Sequence, residues 1–227
     1  MTNASPERSG HESTTHFDVQ AILFDLDVTL IDSTVATERA WTSWGGLMGL
    51  SGYRHTVHGL TAQSLVNELI EESRRAEALE LIARLEIQDT DGIQVKDGVR
   101  ELLQSLPAES WTIVTSCTSA LAAARMGAAS LGQPEHMVTA DQITTGKPSP
   151  EGFLLAAERL GVDIARCLVV EDAPAGISAG KAAGAGTLAV TGTYGSNSLD
   201  ANVVVESLSQ IAVSRTPMGT LRVSINN

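Results

Sequence analysis

The sequence predicts an α/β protein, a Rossmann-like parallel sheet core with an inserted helical cap domain. Three observations point there. Five short runs are apolar almost throughout and bounded by polar residues or glycine, the mark of strands buried on both faces. Helix-period stretches separate the later runs, which makes βαβ units. Between the first run and the second, residues 34–96 carry helix-like segments and no convincing strand pair, too long for a simple crossover. A chain of 227 residues has room for one such core plus a smaller insert.

Taken in order, residues 1–17 are polar and predict a flexible tail, with neither the basic nor the apolar region of a signal peptide. The core opens over 18–33, where Ala21–Phe24 is the first strand. The cap, 34–96, holds helical stretches at Val35–Leu50, Ala62–Arg75 and Ala76–Leu85. Trp41 and Trp44, three apart, share one helix face and are expected to anchor the cap's own core. The core resumes over 97–227 with a helix at Gly98–Leu106 and a strand at Trp111–Val114. An Ala-rich helix follows at Leu121–Ala129, then an amphipathic one at Glu151–Leu160 stopped by Gly161. The strand Cys167–Val170 leads into a helix at Pro174–Ala183, with Pro at its start and Gly184 after its end. Thr187–Val190 and Val203–Val205 complete the strands.

Charge narrows the partners. Fifteen Lys and Arg against 27 Asp and Glu leave −12, which argues against nucleic acid and against an anionic membrane, both of which select basic patches. No window approaches 18 consecutive apolar residues, so no transmembrane span is expected. The two cysteines, Cys117 and Cys167, sit beside apolar runs and suggest packed thiols in a reducing compartment. The expectation is a cytoplasmic protein, a monomer or weak homodimer.

The chemistry concentrates at strand ends. Asp25 and Asp27 follow the first strand at i and i+2 and would project to one side of an extended backbone. Alone, Asp-x-Asp is as readily an acidic turn. Glu171-Asp172 closes another apolar run, and four carboxylates at two strand tips describe a hard-cation site suited to Mg²⁺. Thr115-Ser116 ends a third strand.

Asp25-Leu26-Asp27-x-Thr29, Thr115-Ser116, Gly146-Lys147-Pro148-x-Pro150-Glu151 and Glu171-Asp172-x-x-x-Gly176 resemble, in order, the four motifs of haloacid dehalogenase-like phosphatases. The resemblance runs from about Val19 to Val205. The stretch Glu171–Gly184 and the pair His58-Gly59 are most similar to the glycerol-3-phosphatase and 2-deoxyglucose-6-phosphatase branch. The resemblance implies a Mg²⁺-dependent phosphatase acting on a small sugar or polyol phosphate through an aspartyl-phosphate. Asp25 would be the nucleophile, and Asp27 the general acid and base whose backbone carbonyl helps bind the metal. Thr115 would bond the phosphoryl group, with Ser116 beside it, and Lys147 would neutralise Asp25 and the phosphate. Asp172 would ligate the metal directly; Glu171 would do so directly or through water. In the cap, His58, Gly59 and Thr61 would face the substrate.

Two positions depart from the pattern. The family has Gly where this chain has Val28, and a β-branched residue at positive φ is strained. Thr61 stands where the branch often carries an Arg two residues after His-Gly. The rival readings are a sugar phosphomutase of the same fold and a weak phospho-ligand binding protein impaired at Val28. A dehalogenase would have no use for the metal-binding acids. Gly146-Lys147 lacks the remaining Walker residues, and Gly184-Ala185-Gly186 follows a helix instead of a strand, so neither is a nucleotide loop. His55 and His58 lack further ligands nearby in sequence, and Cys117 is read as a small packed residue beside the site.

Overall fold

Six parallel strands of two to five residues form the central sheet, and its middle strands are buried on both faces. The computed structural model describes residues 15–56 and 59–226. In chain order its elements are β1 (His16–Val19), β2 (Ala21–Phe24), β3 (Ile31–Asp32), α1 (Thr34–Leu47), α2 (Ala62–Leu69), α3 (Arg75–Gln88) and β4 (Gln94–Val95). Then come α4 (Val99–Ser105), β5 (Trp111–Val114), α5 (Ser119–Ala128), β6 (Met137–Val138) and α6 (Glu151–Leu160). The chain continues with β7 (Cys167–Glu171), α7 (Pro174–Ala183), β8 (Gly186–Val190), β9 (Val203–Val205), β10 (Ile211–Arg215) and β11 (Leu221–Ile225).

The central sheet has the order β6-β5-β2-β7-β8-β9, so β2, which carries the Asp-x-Asp motif, lies between β5 and β7. The two-residue period of a strand divides its packing. Ile22 and Phe24 face one core with Ile113 and Val170 of the sheet, Leu102 of α4, and Leu121 and Met126 of α5. Ala21 and Leu23 face the other, against Phe153, Ala156 and Ala157 of α6 and Ala179 of α7. The helices therefore cover both faces, as a parallel sheet requires.

All five strands expected from sequence are present. The structure adds a three-stranded antiparallel sheet in the order β1-β11-β10, in which His16 pairs with Ser224 and Phe17 with Val223. The polar tail expected over 1–17 thus gives up His16 and Phe17 to a strand, because Phe17 packs on the core beside Leu221 and Val223. A second small sheet pairs β3 with β4 where the chain leaves and re-enters the core.

Between those two crossings, α1, α2 and α3 bury their own cluster of Trp41, Trp44, Met48, Leu65, Val66, Ala78 and Ile82. The Trp44 indole N–H donates to the Ala78 carbonyl at 2.8 Å, so the largest buried side chain of that cluster leaves no polar atom unpaired. Trp41 meets Trp44 edge-on at 5.0 Å and stacks on His55 at 4.9 Å. No helix among the described residues is long and apolar enough to cross a membrane.

Candidate active site

Strand register brings the sequence motifs together. Phe24 pairs with Val170, and the Asp25 N–H extends that ladder to the Val170 carbonyl at 2.9 Å, which sets Asp25 level with Glu171 at the sheet's carboxyl edge. Thr115 follows β5 and donates its N–H to Val138 of β6 at 2.9 Å. Lys147 reaches across from the loop before α6. Its ammonium donates to Asp25 Oδ1, to Glu171 Oε1 at 2.6 Å and to the Val114 carbonyl at 3.1 Å. Burial opposes that charge, but Asp25 and Glu171 outweigh it and hold the Lys147 pKa above the ordinary ammonium range.

Asp25, Glu171 and Asp172 each offer an oxygen within 4.8 Å of the others. Burial, with the neighbouring carboxylates adding to it, pushes the pKa of Asp25 and of Asp172 well up, and Lys147 offsets only part of this. Asp172 Oδ2 is buried with no hydrogen-bond partner. An orphaned carboxylate oxygen beside two further acids fits a hard divalent cation, which takes oxygen ligands and cancels their repulsion. Glu171 is the most committed of the three: Oε1 accepts from Lys147 and Oε2 from the N–H groups of Asp172 and Ala173, both at 3.0 Å. Gly176 leaves room for it, since a Cβ there would collide with the Glu171 carboxylate.

Asp27 is turned away from that cluster. Its Oδ1 accepts from the Ser33 hydroxyl at 2.5 Å and from Arg125 Nη1 at 2.7 Å, and its Oδ2 from the Cys117 thiol at 2.9 Å. Burial would raise its pKa, but the Arg125 charge and these donors hold it below the usual carboxylate value. Arg125 also donates to Glu86 at 3.0 Å and to Thr37 at 2.7 Å. Sequence reasoning missed Arg125, Glu86 and Thr37. The signal for Arg125 was a lone cation inside the apolar run 121–129; Glu86 had none, being one of many charges on its helix.

Asp25, Asp27, Thr115, Ser116 and Lys147 line one side of a cavity of about 850 Å³, and Trp41, His55, Asn67 and Glu86 line the other. Thr115 Oγ1 accepts from the Cys117 N–H at 3.1 Å, which fixes its rotamer. The Ser116 hydroxyl donates to the Gly59 carbonyl at 3.0 Å, joining the core to the loop before α2. Gly59 has φ +85°, and a Cβ there would lie 2.7 Å from the Ala173 methyl. Thr61 caps α2 by accepting from the Ser64 N–H at 3.2 Å, and its methyl stands 2.6 Å from where a Gly146 Cβ would be. The candidate His58 lies outside the described residues. His55 is committed to its stack on Trp41, and its Nδ1 lies 3.4 Å from the Tyr53 hydroxyl.

Val28 has φ +63°, the left-handed conformation in which a β-branched residue is strained. It is held from both sides: its N–H donates to the Ile31 carbonyl at 2.6 Å, and its carbonyl accepts from Lys96 at 2.6 Å.

Residues 19–184 match the family described as haloacid dehalogenase-like hydrolase. The sequence is 38% identical over 208 residues to hexitol phosphatase A of Escherichia coli, covering 88% of this chain and 96% of that protein. It is 30% identical over 239 residues to 2-deoxyglucose-6-phosphate phosphatase 1 of Saccharomyces cerevisiae, covering 93% and 97%. A hydrolase from Pseudomonas syringae superposes with a TM-score of 0.76 at 27% identity, over 83% of this chain and 94% of that one.

Proposed function

The chain belongs to the haloacid dehalogenase-like hydrolases, and from that premise we propose that it is a Mg²⁺-dependent phosphatase of a small phosphorylated sugar or polyol. One observation carries the reading: the Lys147 ammonium bridges Asp25 and Glu171 on the wall of a cavity roofed by the cap. A carboxylate held against an ammonium is oriented for attack, while the same ammonium neutralises the phosphate that approaches it. The named relatives, a hexitol phosphatase and a 2-deoxyglucose-6-phosphate phosphatase, support the substrate class.

In the first half-reaction an Asp25 carboxylate oxygen bonds to phosphorus as the ester P–O bond breaks, and Asp27, once turned from its bonds to Ser33, Cys117 and Arg125 and protonated from solvent, gives that proton to the departing sugar oxygen. In the second, water attacks the aspartyl-phosphate, Asp27 takes a proton from it, and inorganic phosphate leaves with Asp25 restored. Thr115 and Lys147 hold the phosphoryl oxygens, and cap closure excludes bulk water. Mg²⁺ would be held by Asp25, Asp172 and the Asp27 carbonyl, with Glu171 acting through a water because both its oxygens already accept bonds. When bound, it supplies positive charge beside the phosphoryl oxygens. The Gly59 and Thr61 loop, with His58, contributes to substrate choice. We assign the protein to the cytoplasm as a monomer or weak homodimer, without nucleic-acid or membrane partners.

The reading of a binding protein impaired at Val28 rests on its positive φ. Both backbone polar groups of Val28 are bonded, so Val28 adopts the turn a glycine would supply; its cost falls on stability more than on the site.

The test is phosphate release from hexitol phosphates and 2-deoxyglucose 6-phosphate with Mg²⁺. Wild type is expected to turn over at least one, and Asp25→Asn to lower kcat by at least ~1000-fold with the circular dichroism spectrum unchanged. Isomerised sugar phosphate without released phosphate would establish the mutase instead. Tight phosphate-ester binding with no turnover would establish the binding protein.

A further inference from the structure

Lys96 directly follows β4, where the chain re-enters the core, and belongs to none of the four phosphatase motifs. Its backbone N–H donates to the Leu30 carbonyl at 3.0 Å, and its ammonium donates to the Val28 carbonyl at 2.6 Å. Gly192 closes over the pair: a Cβ there would stand 2.7 Å from Val28 Cγ1 and 3.5 Å from Lys96 Nζ. Burial pulls the Lys96 pKa below the ordinary ammonium range, and the charges of Asp172 and Asp32 offset part of that.

Val28, at φ +63°, needs an outside hold. Its branched side chain drives the backbone toward negative φ, and a residue kept from there persists only where its surroundings over-determine it. Two bonds do so. The Val28 N–H, held by the Ile31 carbonyl at 2.6 Å, fixes the peptide before it. That peptide carries the Asp27 carbonyl, which in a planar trans unit points away from Ile31. Lys96 fixes the peptide after it, which leads to Thr29, whose hydroxyl lies 3.5 Å from Asp172 Oδ1.

We propose that Lys96 is a positioning residue for the cation site: by clamping the Val28 carbonyl it keeps a valine in a turn suited to glycine, and so keeps the Asp27 carbonyl in one direction and Thr29 against Asp172. The proposal rests on the reading of the Asp27 carbonyl and Asp172 as Mg²⁺ ligands given above. Without the clamp the Val28–Thr29 peptide is free to rotate, and the strain is released by swinging φ out of the left-handed region. Mg²⁺ would then bind only at the cost of restoring the turn. With glycine at that position the turn carries no steric penalty, and no clamp is needed. The influence of Lys96 on the cation is therefore conditional on Val28. It also opposes simple electrostatics. A positive charge near Asp172 repels a cation, so a Lys96 acting by charge alone would weaken Mg²⁺ binding, and its removal would tighten it.

The experiment is a calorimetric titration of Mg²⁺ into the EDTA-treated, dialysed full chain, for wild type, Lys96→Met, Val28→Gly and the double variant. Lys96→Met is expected to raise the Mg²⁺ Kd at least ~5-fold, and Val28→Gly to leave it within ~3-fold of wild type. The double variant is expected to bind Mg²⁺ as tightly as Val28→Gly, or more tightly, because only the charge of Lys96 is then lost. Amide hydrogen exchange without Mg²⁺ gives a second measure at Leu30 and Ile31, whose N–H groups close the same turn on the Leu26 carbonyl at 2.9 and 3.1 Å. Their exchange should quicken at least ~10-fold in Lys96→Met, and less than ~3-fold when the same change is made in Val28→Gly. Lys96→Ala serves where the Met variant does not fold. A folded Lys96→Met that binds Mg²⁺ as tightly as wild type would overturn the proposal, as would an equal weakening in both backgrounds. If wild type itself takes up no Mg²⁺, it is the cation reading that fails, and the exchange rates alone decide whether Lys96 holds the turn.

Discussion

Val28 combines a conformation suited to glycine with a side chain that packs. A β-branched residue held in the left-handed region costs ~1–3 kcal/mol, and Val28 is only 5% exposed, so burial of its isopropyl group repays part of that. Its Cγ1 lies 2.7 Å from where a Cβ on Gly192 would stand, so the two positions share one space. Val28→Gly relieves strain but loses burial and adds unfolded-chain entropy, terms of ~1 kcal/mol each, and is expected to leave the unfolding midpoint nearly unchanged. Gly192→Ala overpacks that space and should cost ~1–3 kcal/mol in the native background. In a Val28→Gly background the clashing methyl is gone, and the cost should fall below ~1 kcal/mol. Urea unfolding of the four proteins checks this; an equal cost in both backgrounds would mean the two positions do not meet.

At the scale of elements, α7 shows how a helix sets the active-site acids. Ala173 caps it and Pro174 begins it, directly after Glu171-Asp172, and its first turn brings Gly176 under the Glu171 carboxylate. Gly176→Ala would drive a methyl into that carboxylate and, through it, displace Lys147 from Asp25; phosphate release is expected to fall at least ~100-fold. A Cβ on Gly180, one turn on, would come nearest to carbons of Val169 and Thr187, at 3.0–3.1 Å. Gly180→Ala should therefore lower stability mildly while kcat stays within threefold, which separates damage to the site from damage to the helix. The Glu171-Asp172-x-x-x-Gly176 spacing was visible in the sequence because the motif is local. So were the five strands, whose buried runs are continuous. β10 and β11 were not, since an antiparallel sheet with one wet face interrupts its apolar positions, as in Leu221, Val223 and Ile225 alternating with Arg222 and Ser224. Nor was the Asp27–Arg125–Glu86 chain of bonds, whose members are 98 and 39 residues apart and meet only after the cap has folded onto the core.

For the molecule as a whole, the excess of acid is not spread evenly. Of 27 acidic residues, Asp25, Asp27, Glu86, Glu171 and Asp172 gather between sheet and cap, where Lys147 and Arg125 are the buried cations that answer them. The deficit is concentrated at Asp25, Glu171 and Asp172, where Lys147 is ion-paired to the first two and Asp172 feels Lys147 and Lys96 only from a distance. The fold therefore holds unrelieved repulsion that a divalent cation would remove, and metal binding becomes a stability effect as well as a catalytic one. At 100 times its dissociation constant, a ligand bound only by the native state adds ~2.7 kcal/mol, or ~5–10 °C in Tm for a chain of this size. Wild type is expected to gain that much when Mg²⁺ is added back after EDTA treatment. Without metal, Asp172 must either repel its neighbours or take up a proton that the unfolded chain would not hold; Asp172→Asn removes that cost and offers an amide N–H, so in EDTA it should melt higher than wild type. With the metal's orphaned ligand gone, it should gain little from Mg²⁺ and release no phosphate. A thermal melt of both proteins, with and without Mg²⁺, decides the matter: a wild type indifferent to the ion, or an Asn variant less stable than wild type in EDTA, would mean that the three carboxylates are held apart by the protein alone and are not a cation site.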